Sequence, residues 1–354
     1  MNGINLTGRI DQNAIFLRER LTQLGEQIST GRKGSSYAAL RSDAPKSMDL
    51  RAEITRREAY QSTIGQTLSK VQITQDVLDR IGAIAEKFTA GTAKLLGAAK
   101  PEEIQIQAGQ AKAALVEVAN LLNENYLGEY LFGGSNTHEA PIPNPDEIVT
   151  GFMVAGITAE VGSLNGTNAA SVLGATKTLA ASGADGGETP FSDFLQTGLG
   201  ATEGRRNVLS SDNERIDYGI LANKNGAVVS DGETTGSWAR DLLLGLARIA
   251  GLTPEKSQLG ASYTTFITTT RQGLQSSVDA LALERGALGV TEARLESTKN
   301  FQASVTTSLT LQVSEIEEVD MAKTISFLQA TQTQLEASYR AMAISQQLSL
   351  TRFL

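Results

Sequence analysis

The segment Ile10-Asp11-Gln12-Asn13-Ala14-Ile15-Phe16-Leu17-Arg18-Glu19-Arg20-Leu21-Thr22-Gln23-Leu24-Gly25-Glu26-Gln27-Ile28 decides the fold class. Ile10, Ala14, Leu17, Leu21, Leu24 and Ile28 step 4-3-4-3-4, the a and d positions of a heptad. That spacing lays one narrow apolar stripe along a helix, the seam of a coiled coil. Arg18, Glu19, Arg20, Gln23, Glu26 and Gln27 fall outside it. Gly31 and Gly34 bracket a break, with Gly31 as the expected helix stop.

Moving outward, a second helical pattern begins near Pro45 and runs through Leu50, Ile54, Ile64, Leu68, Val71 and Leu78. Val77, Ile81, Ile84 and Phe88 widen that stripe, so it serves more than one neighbour, as in a bundle. Gly97 and Pro101 interrupt the pattern, and Glu102 and Glu103 favour a new helix start. Ile104, Ala108, Ala111, Leu115, Val118 and Leu122 then repeat the 4-3-4-3-4 step, a stripe expected to pack within the chain. The C-terminal third mirrors this, with Leu274, Val278, Leu281, Leu288 and Leu295 on one seam. A last helix carries Ile325, Leu328, Gln332, Leu335, Tyr339, Met342 and Gln346 at alternating three and four. Ile316 and Val319 lie out of phase, which predicts a change of packing partner near residue 320.

The middle differs. Residues 133 to 236 contain Gly-Gly, Asn-Gly, Pro-Asn-Pro and Asp-Gly-Gly turn formers. Phe152-Met153-Val154 and Arg215-Ile216-Asp217-Tyr218-Gly219-Ile220-Leu221 read as strands, and Asn225-Gly226 as a tight hairpin turn. The expected fold is therefore mainly α with a β insertion: an antiparallel long-helix bundle, terminal coiled-coil arms and a central β-rich domain. Its divisions fall at 1–40 and 313–354 for the arms, 41–132 and 238–312 for the two halves of the bundle, and 133–237 for the insertion. An isolated amphipathic helix gains little without a partner, so the first helix is expected to pair with the last. Apolar surface left over on that pair implies association, and head-to-tail contacts that do not close make filaments.

Composition removes several function classes. The chain has no cysteine, which excludes disulfides, thiolate catalysis and cysteine-ligated metals. Its 31 basic and 39 acidic side chains are interspersed, for a net charge of −8, and no basic run forms a footprint for nucleic acid. No stretch reaches the roughly 18 uninterrupted apolar residues of a membrane span. Residues 1–8 lack the basic flank and apolar stretch of a cleaved signal peptide. Aromatics make up only 5%, with Trp238 the single tryptophan, which suits narrow helical seams better than a large globular core.

Candidate chemical residues are sparse. His138 is the one histidine, too few for a histidine-built metal site or a catalytic triad. Asp146-Glu147 and Asp212-Asn213-Glu214 do not match a calcium-loop spacing. Gly198-Leu199-Gly200-Ala201-Thr202-Glu203-Gly204 lacks the following Gly-Lys-Ser/Thr of a phosphate loop. Asn165-Gly166-Thr167 matches a glycosylation acceptor, a pattern common by chance. No acid, base and nucleophile converge, so no catalytic, cofactor or metal site is expected. A surface-displayed carbohydrate- or host-binding module is the competing class, but residues 140–236 offer only Phe152, Phe191, Phe194 and Tyr218 as aromatic platforms.

Several segments carry a resemblance. Leu24-Gly25-Glu26-Gln27-Ile28-Ser29-Thr30-Gly31-Arg32-Lys33 is similar to a segment shared across the flagellin superfamily. Ser42-Asp43-Ala44-Pro45 with Leu50-Arg51-Ala52-Glu53-Ile54 resembles the next shared segment in degenerate form. Gln329 to Tyr339 and the ending Leu348 to Leu354 resemble the family's terminal helix. Within the superfamily, Glu129-Tyr130-Leu131-Phe132-Gly133-Gly134-Ser135-Asn136-Thr137 is similar to the hook–filament junction type, hook-associated protein 3. Thr30 to Lys33 with Ser36 to Leu40 resembles divergent alphaproteobacterial filament flagellins instead.

The resemblance implies a non-enzymatic structural subunit of the bacterial flagellar axis, extracellular and exported through the flagellar secretion apparatus. It implies as partners further copies of the chain, other hook-associated proteins and flagellin, and an export chaperone over the C-terminal helix. The expected assembly seam is Ile10, Leu17, Leu21, Leu24 and Ile28 with Ile325, Leu328, Leu335, Tyr339 and Met342.

Overall fold

The computed structural model describes residues 4–96, 100–183 and 188–350, and the side chains among them except those of 4–8, 10 and 345–350. Among the described residues the chain is mainly α, with two small antiparallel hairpins. It divides into two units, one of Met1–Ala59 with Phe301–Leu354 and one of Tyr60–Asn300. Two long helices, α2 (Ala44–Leu95) and α9 (Ala261–Glu317), contribute to both.

The middle unit is built on heptads. On α9, Ile267, Leu274, Leu281, Leu288 and Leu295 recur every seven residues and each is at most 1% exposed. They pack in one core with Ile64, Leu68, Val71, Leu78, Ile81 and Phe88 of α2. Helix α3 (Pro101–Leu122) adds Ile104, Ala111, Leu115, Val118 and Leu122 to the same core. It starts on a proline whose missing N–H costs nothing in the first turn, and Glu103 accepts the backbone N–H of Lys100 at 3.2 Å. The expected intramolecular stripe from Ile104 to Leu122 is buried throughout.

After α3 the chain makes a two-residue hairpin, β1 (Asn125–Tyr126) with β2 (Glu129–Tyr130), and enters the insertion. Phe152-Met153-Val154 was expected as a strand; it begins the helix α4 (Phe152–Gly162). The reason is visible in burial: Met153, Val154, Ile157 and Val161 are covered, a helical spacing masked by the almost uniformly apolar composition. Helix α5 (Ala169–Ala181) pairs with it, and Gly156 makes room for Leu179. Two single turns follow, α6 (Asp193–Gln196) and α7 (Leu199–Thr202). The second hairpin joins β3 (Asn207–Ser211) to β4 (Glu214–Asp217), so the strand expected over Arg215–Leu221 forms only as far as Asp217. Its turn is at 212–213, not at Asn225-Gly226.

Helix α8 (Trp238–Ala250) closes the insertion, and every one of its residues is buried, packed on α3, α4 and α5. Its polar side chains are therefore internal. Arg240 donates to the carbonyls of Asn223, Ala180 and Ser182 and to Gln196, with its guanidinium over the Phe191 ring. Arg248 donates to Thr176 and to the Leu173 carbonyl. Burial lowers both guanidinium pKa values to about 10, which still leaves them charged at neutral pH. Asp241 accepts the hydroxyls of Thr234 and Thr235 and the Thr235 N–H.

The polar steps of the α9 heptad hold the insertion in place. Ser277, fully buried, donates to the Trp238 carbonyl at 2.7 Å. Glu284, also fully buried, accepts the successive backbone N–H groups of Gly226, Ala227 and Val228. A run of N–H groups around one carboxylate is an anion nest, and it explains why Asn225-Gly226 is not a hairpin turn.

Candidate assembly interface

The terminal unit brings the two chain ends together. Helix α1 (Ile4–Thr30) packs along α10 (Met321–Leu350), and the pairs Gly31–Val319 and Arg18–Tyr339 make them antiparallel. On α1, Ala14 and Leu24 are buried and Leu17, Leu21 and Ile28 are half-buried, which places the expected stripe against α10. The side chain of Ile10 lies outside the described residues, as do Gln346 and the ending Leu348 to Leu354.

On α10 the covered row is Thr324, Leu328, Thr331, Leu335, Ser338 and Met342, again stepping 4-3-4-3-4. Leu328, Leu335 and Met342 thus lie in the covered row. Ile325, Gln332 and Tyr339 do not: each sits one residue beyond the covered row and is exposed. The smaller Thr324, Thr331 and Ser338 take their places, and Thr324 and Thr331 satisfy their hydroxyls on backbone carbonyls four residues back. Reading hydrophobicity alone selects the larger neighbour of each pair and misses this row. Tyr339 is instead clasped from across the seam, with the Arg18 Nε donating to its hydroxyl at 2.5 Å and the guanidinium 5.4 Å from the ring centre.

The pair leaves much apolar surface uncovered. Ile15 and Phe16 on α1 are 56% and 65% exposed, and Ile325, Phe327 and Ile344 on α10 are 41%, 48% and 58% exposed. These side chains flank the covered rows on both helices.

One end of the seam is fastened. Gly31 takes φ +71°, which a β-carbon would oppose, and its N–H closes α1 on the Gln27 carbonyl. The Gly31 carbonyl then accepts the Val319 N–H at 2.9 Å, and the Lys33 N–H donates to the Glu317 carbonyl at 2.7 Å. The Lys33 ammonium reaches the free carbonyls of Glu315 and Ile316 at the C-terminus of α9, where a cation is favoured. Asp320 accepts the Lys323 N–H and starts α10. Glu317 itself is buried and accepts Ser47 at 2.6 Å and Arg51 through two parallel bonds of 2.7 and 2.6 Å. The Arg51 hydrogen bonds, reinforced by Ser47, hold its carboxyl down to about 2. None of Lys33, Ser47, Arg51 and Glu317 has a periodicity signal; their proximity is a product of the antiparallel pairing.

The chemical candidates are dispersed. His138 is exposed in its loop. Asp212 and Glu214 are structural, accepting Tyr60 at 2.8 Å and Arg294 at 2.6 Å. The 198–204 segment contains α7, and the carbonyls of Gly200, Ala201 and Glu203 hold the Lys224 ammonium, the opposite polarity to a phosphate loop. Among the described residues no group of three His, Cys, Asp or Glu is placed to hold a metal ion, and no helix is long and apolar enough to cross a membrane.

Residues 271–354 match the family of the bacterial flagellin C-terminal helical region. The match takes in most of α9 and all of α10, the C-terminal half of the seam, and supports a structural subunit of the flagellin superfamily. A comparison with curated proteins finds no match.

Proposed function

We propose that this chain is an axial subunit of the bacterial flagellum that polymerises through its terminal unit, and that its place is the hook–filament junction. The observation carrying the reading is the α1–α10 pair: one covered seam, with Ile15, Phe16, Ile325, Phe327 and Ile344 left in water on its flanks. Unpartnered apolar rows on paired helices are what subunit–subunit packing covers. The expected seam residues Ile10 to Ile28 and Ile325 to Met342 then divide their work. Leu17, Leu21, Leu24, Leu328, Leu335 and Met342 hold the pair together, while Ile325 and Tyr339 face neighbouring subunits.

The junction position is supported by the Tyr130-Leu131-Phe132-Gly133-Gly134 segment, similar to that type. Its shape needs both glycines. A β-carbon on Gly133 would stand 2.6 Å from the Asn136 carbonyl oxygen, and Gly134 takes φ +65°. Phe132 is fully buried and its carbonyl accepts the Ala222 N–H, welding the end of the first helical arm to the insertion. The reading includes export through the flagellar secretion apparatus, an export chaperone over α10, and other hook-associated proteins and flagellin as neighbours. In it residues 133–237 form the outward domain between bundle halves 41–132 and 238–312.

Immunogold electron microscopy of intact flagella with antibody against residues 140–240 tests the position. Gold confined to the hook–filament boundary is the expected result. Gold along the whole filament would make the chain a filament flagellin, and no gold on flagella would overturn the axial assignment.

A further inference from the structure

We propose that Asn165 is a site of spontaneous, fold-directed deamidation, a modification that converts the α4–α5 turn from neutral to anionic while the chemically identical Asn225-Gly226 step is held inert. A third such step, Asn2-Gly3, lies outside the described residues. The reaction joins the backbone nitrogen of the glycine, after loss of its proton to water or hydroxide, to Cγ of the asparagine. The tetrahedral adduct expels Nδ2 as ammonia and leaves a five-membered imide. Water then opens the imide at either carbonyl, giving aspartate or its β-linked isomer. One water enters, one ammonia leaves, and nothing is oxidised or reduced.

At Asn165 the geometry favours each part. Asn165, Gly166 and Thr167 are all exposed, between the end of α4 and the start of α5. The Gly166 nitrogen makes no hydrogen bond, and a β-carbon at Gly166 would meet nothing within 4 Å, so the nucleophile has room. Oδ1, where negative charge builds in the adduct, already accepts the Thr167 N–H at 3.0 Å and the Thr167 hydroxyl at 3.1 Å. Donors aimed at a developing oxyanion lower the barrier to forming it. The product aspartate can accept the same two bonds. It also adds negative charge near Lys256, whose ammonium sits on the Gly162 and Leu164 carbonyls of that turn.

At Asn225 every part is occupied. Nδ2 donates to Ser230 at 2.8 Å, Oδ1 accepts the Trp238 N–H at 2.9 Å, and the attacking nitrogen of Gly226 donates to the buried Glu284 carboxylate at 2.6 Å. Attack there requires the Gly226 N–H to leave the Glu284 carboxylate, a charge-assisted bond, and departure of Nδ2 requires the Ser230 bond to break, whatever the donor on Oδ1 contributes.

The full chain, kept folded at mildly alkaline pH and sampled by peptide mass spectrometry, tests this. Asn165 is expected to convert about a hundredfold faster than Asn225, the rate equivalent of losing the charge-assisted clamp. In denaturant the two rates should converge. Equal rates in the folded chain would overturn the proposal, and a difference that persists in denaturant would assign it to local sequence instead of the fold. Gly166→Ala, which has space to fold normally, should slow Asn165 roughly fivefold. Thr167→Val should slow it by a similar factor and Thr167→Ser restore it; an unchanged rate in Thr167→Val would remove the donor role.

Discussion

Helices α8 and α10 divide the molecule's physics between them. Every residue of α8 is buried, its arginines and aspartate spend their hydrogen bonds inside the middle unit, and Trp238 is fully covered. Among the described side chains of α10 one row is covered, half of that row is Thr or Ser, and Ile325, Phe327 and Ile344 stand in solvent. A helix of the first kind is stabilised by its own chain. A helix of the second kind has a stripe too narrow and too polar to do the same, and its free apolar flanks gain only from another molecule. If the terminal unit assembles as proposed, foldability and assembly occupy separate units of the sequence, and each can be damaged alone.

The largest effect that would test this separation is on assembly. Leu21→Asp or Leu335→Asp places a charge in the α1–α10 seam and should abolish polymers while leaving unfolding of the middle unit unchanged. Normal polymers from both variants, seen by electron microscopy and sedimentation, would break the comparison. Trp238→Ala is the converse. It should cost the middle unit about 3–5 kcal/mol in denaturant unfolding, because a fully buried ring leaves a cavity. A loss under about 1 kcal/mol would mean α8 is not the keystone that its burial implies.

Glu317→Gln should cost the terminal unit about 1–2 kcal/mol, kept small because Arg51 is partly exposed and screened. The acid response sharpens this. Glu317 has a depressed carboxyl, so its contribution is complete above the ordinary value of 4.5 and is lost as pH falls through about 2. Protection of the 31–33 and 317–319 amides, taken as exchange relative to the intrinsic rate at each pH, should therefore fall in acid in the parent chain and should be low already at neutral pH in Glu317→Gln. Slow exchange in the variant would show that the backbone bonds alone fasten the seam. The smallest effect is expected from Phe16→Ala, which should change monomer stability by no more than about 0.5 kcal/mol, as for exposed sites generally. Its consequence should appear as weaker assembly; a large monomer loss would place Phe16 in the core.

Much of this was legible in the residues. The α1 stripe, the stop at Gly31, the buried Ile104 to Leu122 face and the break near 320 all follow from local periodicity and punctuation. The α10 row was half legible, since Leu328, Leu335 and Met342 announce themselves but Thr324, Thr331 and Ser338 are covered only because α1 lies there. Phe152-Met153-Val154 reads as a strand, whereas it opens a helix to Gly162 whose almost uniformly apolar residues erase the contrast that reveals a helix. The latch of Lys33, Arg51 and Glu317 and the nest around Glu284 join residues far apart in sequence, and no local pattern encodes such meetings.

The stitch between Gly31 and Val319 also sets an order in time. Helix α1 leaves the ribosome first, but its partner α10 follows roughly 300 residues later. At about 5–20 residues per second that is an interval of tens of seconds. Throughout it the first stripe has no native surface to meet, whereas the middle unit can close as soon as residue 300 emerges. The Arg18–Tyr339 contact is among the most non-local the chain can make, and such closures are the slow ones. Of the described helices, the one made before all the others is therefore the last to be folded.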